Sequence, residues 1–203
     1  MRGWQYSAPG RMHTTLNAFD LSHWLAEHRD PLRERWLAMV RARRQGDRDD
    51  GRDELLEGFL DLFLDILPLC MMPLRSHAEP LWDRTAELFG SFAASRGLAA
   101  GEAIEEVQIL RESVIRLIYQ DPPGTPTGAR GLRDVLQLNR LADRLVTHAS
   151  VGHTDAMFFA LFQGSGVPEA LSDEVRYEFR GQLEEIRSEC ESLRHHAREN
   201  GGS

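Results

Sequence analysis

The sequence predicts an all-α protein: a helical bundle of about five helices plus a C-terminal dimerisation or output helix. Three observations carry this expectation. Apolar residues recur at spacings of three and four nearly throughout the 203 residues. Alternating runs of β-branched residues are absent. Breaks in the pattern coincide with Pro, Gly and helix-capping residues.

The first helix is expected from about Asp20 or Ser22, both good N-caps, and carries Phe19, Trp24, Leu25 and His28. Asp30-Pro31 reads as a restart, since Asp caps and Pro suits the first helical position. The continuation buries Leu32, Trp36, Met39 and Val40 and ends at Gln45-Gly46, before a solvated mixed-charge connection from Asp47 to Asp53. The second helix spans about Asp53 to Met72, with Pro68 bending its last turns. Its acidic stripe, Glu54, Glu57, Asp61 and Asp65, shares one face. The stripe reads as a solvent face, a cation site being the alternative.

The third helix is expected over Leu81 to Arg96 after Pro80, with Gly97 as its C-terminal cap. The fourth runs from Ala100 to Asp121, with Ile104, Val107, Leu110, Val114, Ile115 and Ile118 inward, and Pro122-Pro123 stops it. Residues 121–131 form a Pro/Gly loop. The fifth, Leu132 to Phe162, carries a close-packing patch of small residues, Ala149, Gly152 and Ala156, where another helix can approach. The last helix, capped by Ser172, runs from Asp173 to about Arg198. Its seam of Phe179, Leu183, Ile186, Cys190, Leu193 and Ala197 steps by four, three, four, three and four. That narrow seam is expected to pair with a second copy, docking on the parent bundle being the alternative. The expected organisation is an extended N-terminal segment at 1–18, a regulatory bundle at 19–163, and a Gly-rich hinge with a coiled-coil-like helix at 164–203.

Composition narrows the function. Hydrophobic residues are 41% and charged residues 28%, which excludes a wholly disordered chain and a membrane protein. The net charge of −8 argues against a nucleic-acid binder. All positive side chains are arginine, so no Schiff-base or phosphate-loop lysine exists. Leu55 to Met72 is the most apolar stretch, but Glu57, Asp61 and Asp65 interrupt it and bar a membrane span. Cys70 and Cys190 read as free thiols in a reducing cytoplasm. Met1 to Thr15 has no apolar run after Arg2, unlike a signal peptide, and Met12 is an alternative start.

Catalytic motifs are not seen: no Walker-type loop, nucleophile elbow, HExxH or Rossmann fingerprint. Gly164-Ser165-Gly166 reads as a turn. His148 and His153 lie five apart, as do His23 and His28, so neither pair chelates from one helix. His195-His196 sit in a last turn, where positive charge is favoured. The expectation is therefore no catalytic residue, no metal and no cofactor. A single buried histidine could still be an axial haem ligand. Arg111 stands out, in register with Val107, Val114 and Ile118 and one turn from Gln108. A buried guanidinium needs a carboxylate, and Asp143 is the candidate. The set reads as an inter-helix clamp, with a pocket for an anionic group as the alternative.

The segments DPLRERWLAMVR, LLEGFLDLFLDIL, LFGSFAASRGLAAGEAIEEVQILRESVIRLI and LNRLADRLVTHASVGHTD, in that order, resemble the RsbRD-type N-terminal sensory domain of stressosome co-antagonists and some bacterial histidine kinases. The resemblance covers roughly residues 20–160. Its most characteristic points are Gly97-Leu98, Leu110-Arg111, Leu138-Asn139 and Asp143. It implies an all-helical, non-catalytic, dimerising module with a bacterial signalling partner. No sulfate-transporter/anti-sigma-type output domain and no kinase motif follows within these residues, so a signal is expected to pass by protein contact. The expected function is thus a cytoplasmic signalling or scaffolding homodimer acting through helix–helix contacts. The alternative is a globin-like or helical-pocket sensor binding haem or another small molecule.

Overall fold

A computed structural model describes residues 18–43, 50–121, 129–166, 168 and 170–200. Among these residues the order is α1 (Ala18–Glu27), α2 (Arg29–Arg43), α3 (Asp50–Cys70), α4 (Arg75–Ser95), α5 (Ala100–Gln120), α6 (Ala129–Phe162) and α7 (Asp173–Asn200). No strand occurs among the described residues, and the all-α class stands. Expectations for residues 1–17, for Gln45-Gly46 and the start of the mixed-charge connection, for most of the 121–131 loop, for the Ala197 side chain and for the choice of Met1 or Met12 fall outside the described residues.

The boundaries follow local chemistry. Pro31 is the third residue of α2, where its missing N–H costs nothing. Gly97 adopts φ +75°, with Gly97 N–H donating to the Ala94 carbonyl and Leu98 N–H to that of Ala93. This paired pattern closes α4 with a left-handed residue, which glycine adopts freely. Gly164, at φ +77°, ends α6 the same way, with Gly164 and Ser165 donating to Leu161 and Ala160. Ser172 caps α7, its Oγ accepting the Val175 N–H at 3.2 Å. Three helices start earlier than expected: α3 at Asp50, within the expected 47–53 connection, α6 at Ala129, within the expected 121–131 loop, and α4 at Arg75, running through Pro80. Pro80 removes only the bond to the Ser76 carbonyl, on an exposed turn near the helix start.

α3 is the central helix, packed against α1, α2, α4 and α7. Leu55, Leu56, Phe59, Leu60, Leu62 and Ile66 are fully buried on it. Its acidic stripe is neither bare nor a cation site. Arg29 reaches Asp61 and Asp65 at 2.9 and 3.0 Å, and Arg33 reaches Glu57 and Asp61 at 2.6 and 3.0 Å. Arg194 of α7 closes on Asp65 at 2.7 Å. The stripe is a ladder that fixes α2 and α7 along α3.

α7 is part of this core, and here the expectations of a separate 164–203 element and of a seam reserved for a second copy are corrected. Phe179, Leu183, Ile186 and Cys190 are buried within the same chain, and Leu193 packs against them. The Phe179 ring lies 5.5 Å from Phe92 and 6.4 Å from Phe59. The three-four spacing is what a helix needs to lie in the groove between α3 and α4, and that groove occupies the seam. Each buried seam side chain contributes roughly 1.5–3 kcal/mol there, which self-pairing would first have to forfeit.

The most extensive helix pair is α4 with α6. Gly152 faces Gly90, which the sequence reading did not single out. A Cβ on Gly152 would lie 2.8 Å from the Glu87 Cα, and one on Gly90 2.8 Å from the His153 nitrogen. Ala149 is buried at this crossing, and Ala156 is half-buried one turn beyond Gly152. The Trp82 indole N–H donates to the Leu141 carbonyl at 3.0 Å and pins the same pair higher up.

Candidate functional site

Arg111 and Asp143 do meet, at 3.6 Å between Nη1 and Oδ1, but on the surface. Their side chains are 42% and 71% exposed, and Gln108 is exposed and outside the pair. The expectation of a buried clamp is corrected by the rotation of α5. Its buried face runs through Ala103, Glu106, Val107, Leu110, Ser113 and Val114, which leaves Arg111 and Ile115 at the edge. Arg111 and Ile115 border a narrow apolar slot whose accessible interior is only about 30 Å³, room for about one water molecule. Replacing Arg111 with alanine is therefore expected to change stability by no more than about 1 kcal/mol in urea titration, as for exposed ion pairs. A loss of 3 kcal/mol would show a buried pair.

The buried ion pair is elsewhere. Arg96, at the end of α4, binds Glu106 of α5 in two-pronged fashion at 3.1 and 2.6 Å. Their side chains are 3% and 10% exposed. The guanidinium also lies 4.5 Å from the Phe92 ring centroid, a cation–π contact strengthened by burial. The Glu106 carbonyl in turn accepts the Trp36 indole N–H at 2.9 Å. One residue thus joins α2, α4 and α5. The signal for it was present: Glu106 shares a face with Leu110 and Ser113. Arg96 gave none, because an arginine before a C-terminal glycine ordinarily lies in solvent.

The histidines between helices are committed to hydrogen bonds. His153 is buried, with Nε2 2.8 Å from the Leu98 carbonyl, to which it donates. His148 bridges Glu87 and Asp83, at 2.7 and 3.4 Å. His28 stacks on Trp24 with centroids 4.2 Å apart, holds the Trp24 carbonyl through Nδ1, and meets Asp121 through Nε2 at 2.9 Å. Burial alone would lower the His28 pKa. The Asp121 hydrogen bond, the Trp24 carbonyl and the charges of Asp121 and Glu27 outweigh it and hold the pKa above its ordinary value. The protonated form is thus favoured by folding. Its contribution is complete below about pH 6.5 and is lost as pH rises through the higher folded value. His28→Gln is expected to remove that slope from a plot of urea midpoint against pH; an unchanged slope would mean that the ring is not paired.

Among the described residues no group of three or more His, Cys, Asp or Glu side chains converges as a metal site. Burial pushes the Cys190 thiol up to about 11 and the Cys70 thiol further still, so neither is poised as a nucleophile. No described helix is long and apolar enough to cross a membrane.

Among the described residues, exposed large apolar side chains are densest in the C-terminal half of α6, where Met157 and Leu161 accompany Val151 and three phenylalanines. Val151, Phe158 and Phe162 step by seven and four along one face, with Phe159 adjoining it, and the four remain 43%, 56%, 87% and 65% exposed. The three rings, at roughly 200 Å² each, leave on the order of 400 Å² of aromatic surface in water. A contiguous patch of that size on a monomer is often functional. Phe159 shares helical spacing with Ala149, Gly152 and Ala156 and by pattern alone belongs to the packed side. Only the position of the α4–α6 crossing shows that the stripe emerges into solvent past Ala156. The chain matches no family model, no curated protein and no solved structure.

Proposed function

We propose that the protein is a non-catalytic signalling or scaffolding module that works by helix–helix contact with another polypeptide, using the C-terminal half of α6. The exposed aromatic stripe from Val151 to Phe162 carries this reading. Ile115, Tyr119, Leu132, Leu136 and Tyr177 are exposed elsewhere, and the stretch from Val151 to Phe162 holds the densest group. The order of segments resembling the RsbRD-type sensory domain supports a regulatory role. The small-molecule alternative draws no support from His28 and His148, which use both ring nitrogens in contacts with neighbouring groups.

The test is a photo-crosslinking amino acid placed at Phe158 in the producing cell, with the same group at Glu34 on α2 as a control. A discrete heavier species with a second polypeptide is expected from Phe158 alone. No adduct at Phe158, together with a bound small-molecule mass in native mass spectrometry, would overturn the reading in favour of a sensor.

A further inference from the structure

Beside the aromatic stripe lies an open groove of about 400 Å³ between α4, α6 and the first turns of α7. Its wall is apolar where Phe159, Val175 and Phe179 line it, and two carboxylates, Asp155 and Glu178, flank those side chains. No arginine lines it. Most of the acidic side chains between helices here hold an arginine, as on α3 and at Arg144–Asp83, Arg84–Glu189 and Arg180–Glu54. Asp155 and Glu178 meet no cation among the described residues. A low-dielectric wall beside two unneutralised carboxylates focuses a negative potential into the groove.

We infer that this surface receives a basic amphipathic helix of a partner protein, its apolar anchors on Phe158, Phe159 and Phe162 and its Lys or Arg side chains on Asp155 and Glu178. The inference rests on the reading of α6 as a contact face and adds the chemistry of the partner. Charge complementarity chooses the occupant. An acidic helix would place like charges together, which costs affinity. An apolar helix without cations would leave both carboxylates desolvated and unpaired. The groove runs between helices, with Ser91, Ser95, Gln163 and Gln182 among its apolar side chains, and an amphipathic helix with anchors three and four apart suits such a surface. A second copy meeting the same face would bring its own Asp155 and Glu178 to the contact.

The experiment uses two fluorescein-labelled helical peptides of 18 residues with one leucine face, the other face lysine in one and glutamate in the other. In fluorescence anisotropy the Leu/Lys peptide is expected to bind the full chain at least tenfold tighter than the Leu/Glu peptide. Asp155→Asn with Glu178→Gln is expected to weaken it tenfold or more. The charge-matched control, Glu34→Gln with Glu191→Gln, is expected to stay within twofold. Circular dichroism checks that both double variants are folded. Equal losses in the two would mean attraction to net charge alone and would overturn the inference, as would equal affinity for both peptides. Sedimentation showing a dimer that Phe158→Ser with Phe162→Ser dissolves would assign the face to a second copy instead. If a crosslink forms at Phe158 but the Asp155/Glu178 variant binds the Leu/Lys peptide like the parent, the contact face stands and its charge chemistry falls.

Discussion

Replacing Arg96 with methionine is expected to destabilise the protein by about 3–5 kcal/mol, the cost of stranding a buried partner. Methionine fills much of the volume over Phe92, so packing is largely kept and the loss reports the charge. Glu106, 10% exposed, keeps its carboxylate with neither Arg96 bond at 3.1 and 2.6 Å. The double variant Arg96→Met with Glu106→Leu is expected to recover most of the loss, because an apolar pair of similar volume restores the balance. Urea titration reads both, a shifted midpoint at constant slope being a pure stability change. A single-variant loss under 1 kcal/mol would mean that water reaches the pair. The expected contrast with Arg111→Ala is a factor of three or more, although Arg96 pairs with an acid on α5, Arg111 lies on α5 itself and both have an acidic partner.

Gly152→Leu is expected to cost at least about 3 kcal/mol, the upper end of overpacking penalties. The obstacle is backbone, not a side chain that could swing away. The Cβ alone approaches the Glu87 Cα to 2.8 Å, so α4 and α6 must separate. Separation also breaks the bond from the Ser91 hydroxyl to the Gly152 carbonyl, 3.1 Å long. Gly152→Ala is expected to fall in the same direction with a smaller loss, since it inserts the Cβ alone. Gly181→Ala is the control of opposite sign. Nothing lies within 4 Å of its Cβ position on α7, and removing a mid-helix glycine stabilises by about 0.5–1 kcal/mol. Thermal melts of the three variants order the effects. Because the crossing lies next to the aromatic stripe, Gly152→Ala is also expected to alter crosslinking from Phe158 without touching a polar group. If Gly152→Leu melted like the parent, the close crossing would be absent.

Local signals carried most of the helix boundaries. Gly97 and Ser172 act through their own backbone chemistry and end or begin a helix where expected, while Pro31 falls two residues inside the start of α2 at Arg29. Pro80 shows the limit: one lost hydrogen bond on an exposed turn is weaker than the packing of Ala78, Leu81 and Trp82 that holds α4 together. The small residues at Ala149 and Gly152 were legible because only small residues permit helix backbones to touch. Their partner Gly90 was not legible, since a lone glycine within a helical pattern has no local signature of what faces it.

The sequence by itself determined the all-helical class, the approximate extent of each helix and the faces able to pack, because periodicity and capping are properties of neighbours along the chain. The tertiary structure alone decided which faces meet. A rotation of α5 by less than one residue's turn puts Glu106 inside and Arg111 at the rim. The α7 seam fits a second copy or a groove in its own bundle equally well by pattern, and the groove between α3 and α4 takes it. Phe159 on α6 reads as core by its spacing from Gly152 and Ala156, until the end of α4 leaves it uncovered. Each of these depends on where another helix lies in space, and burial is a property of that pair, not of either sequence segment.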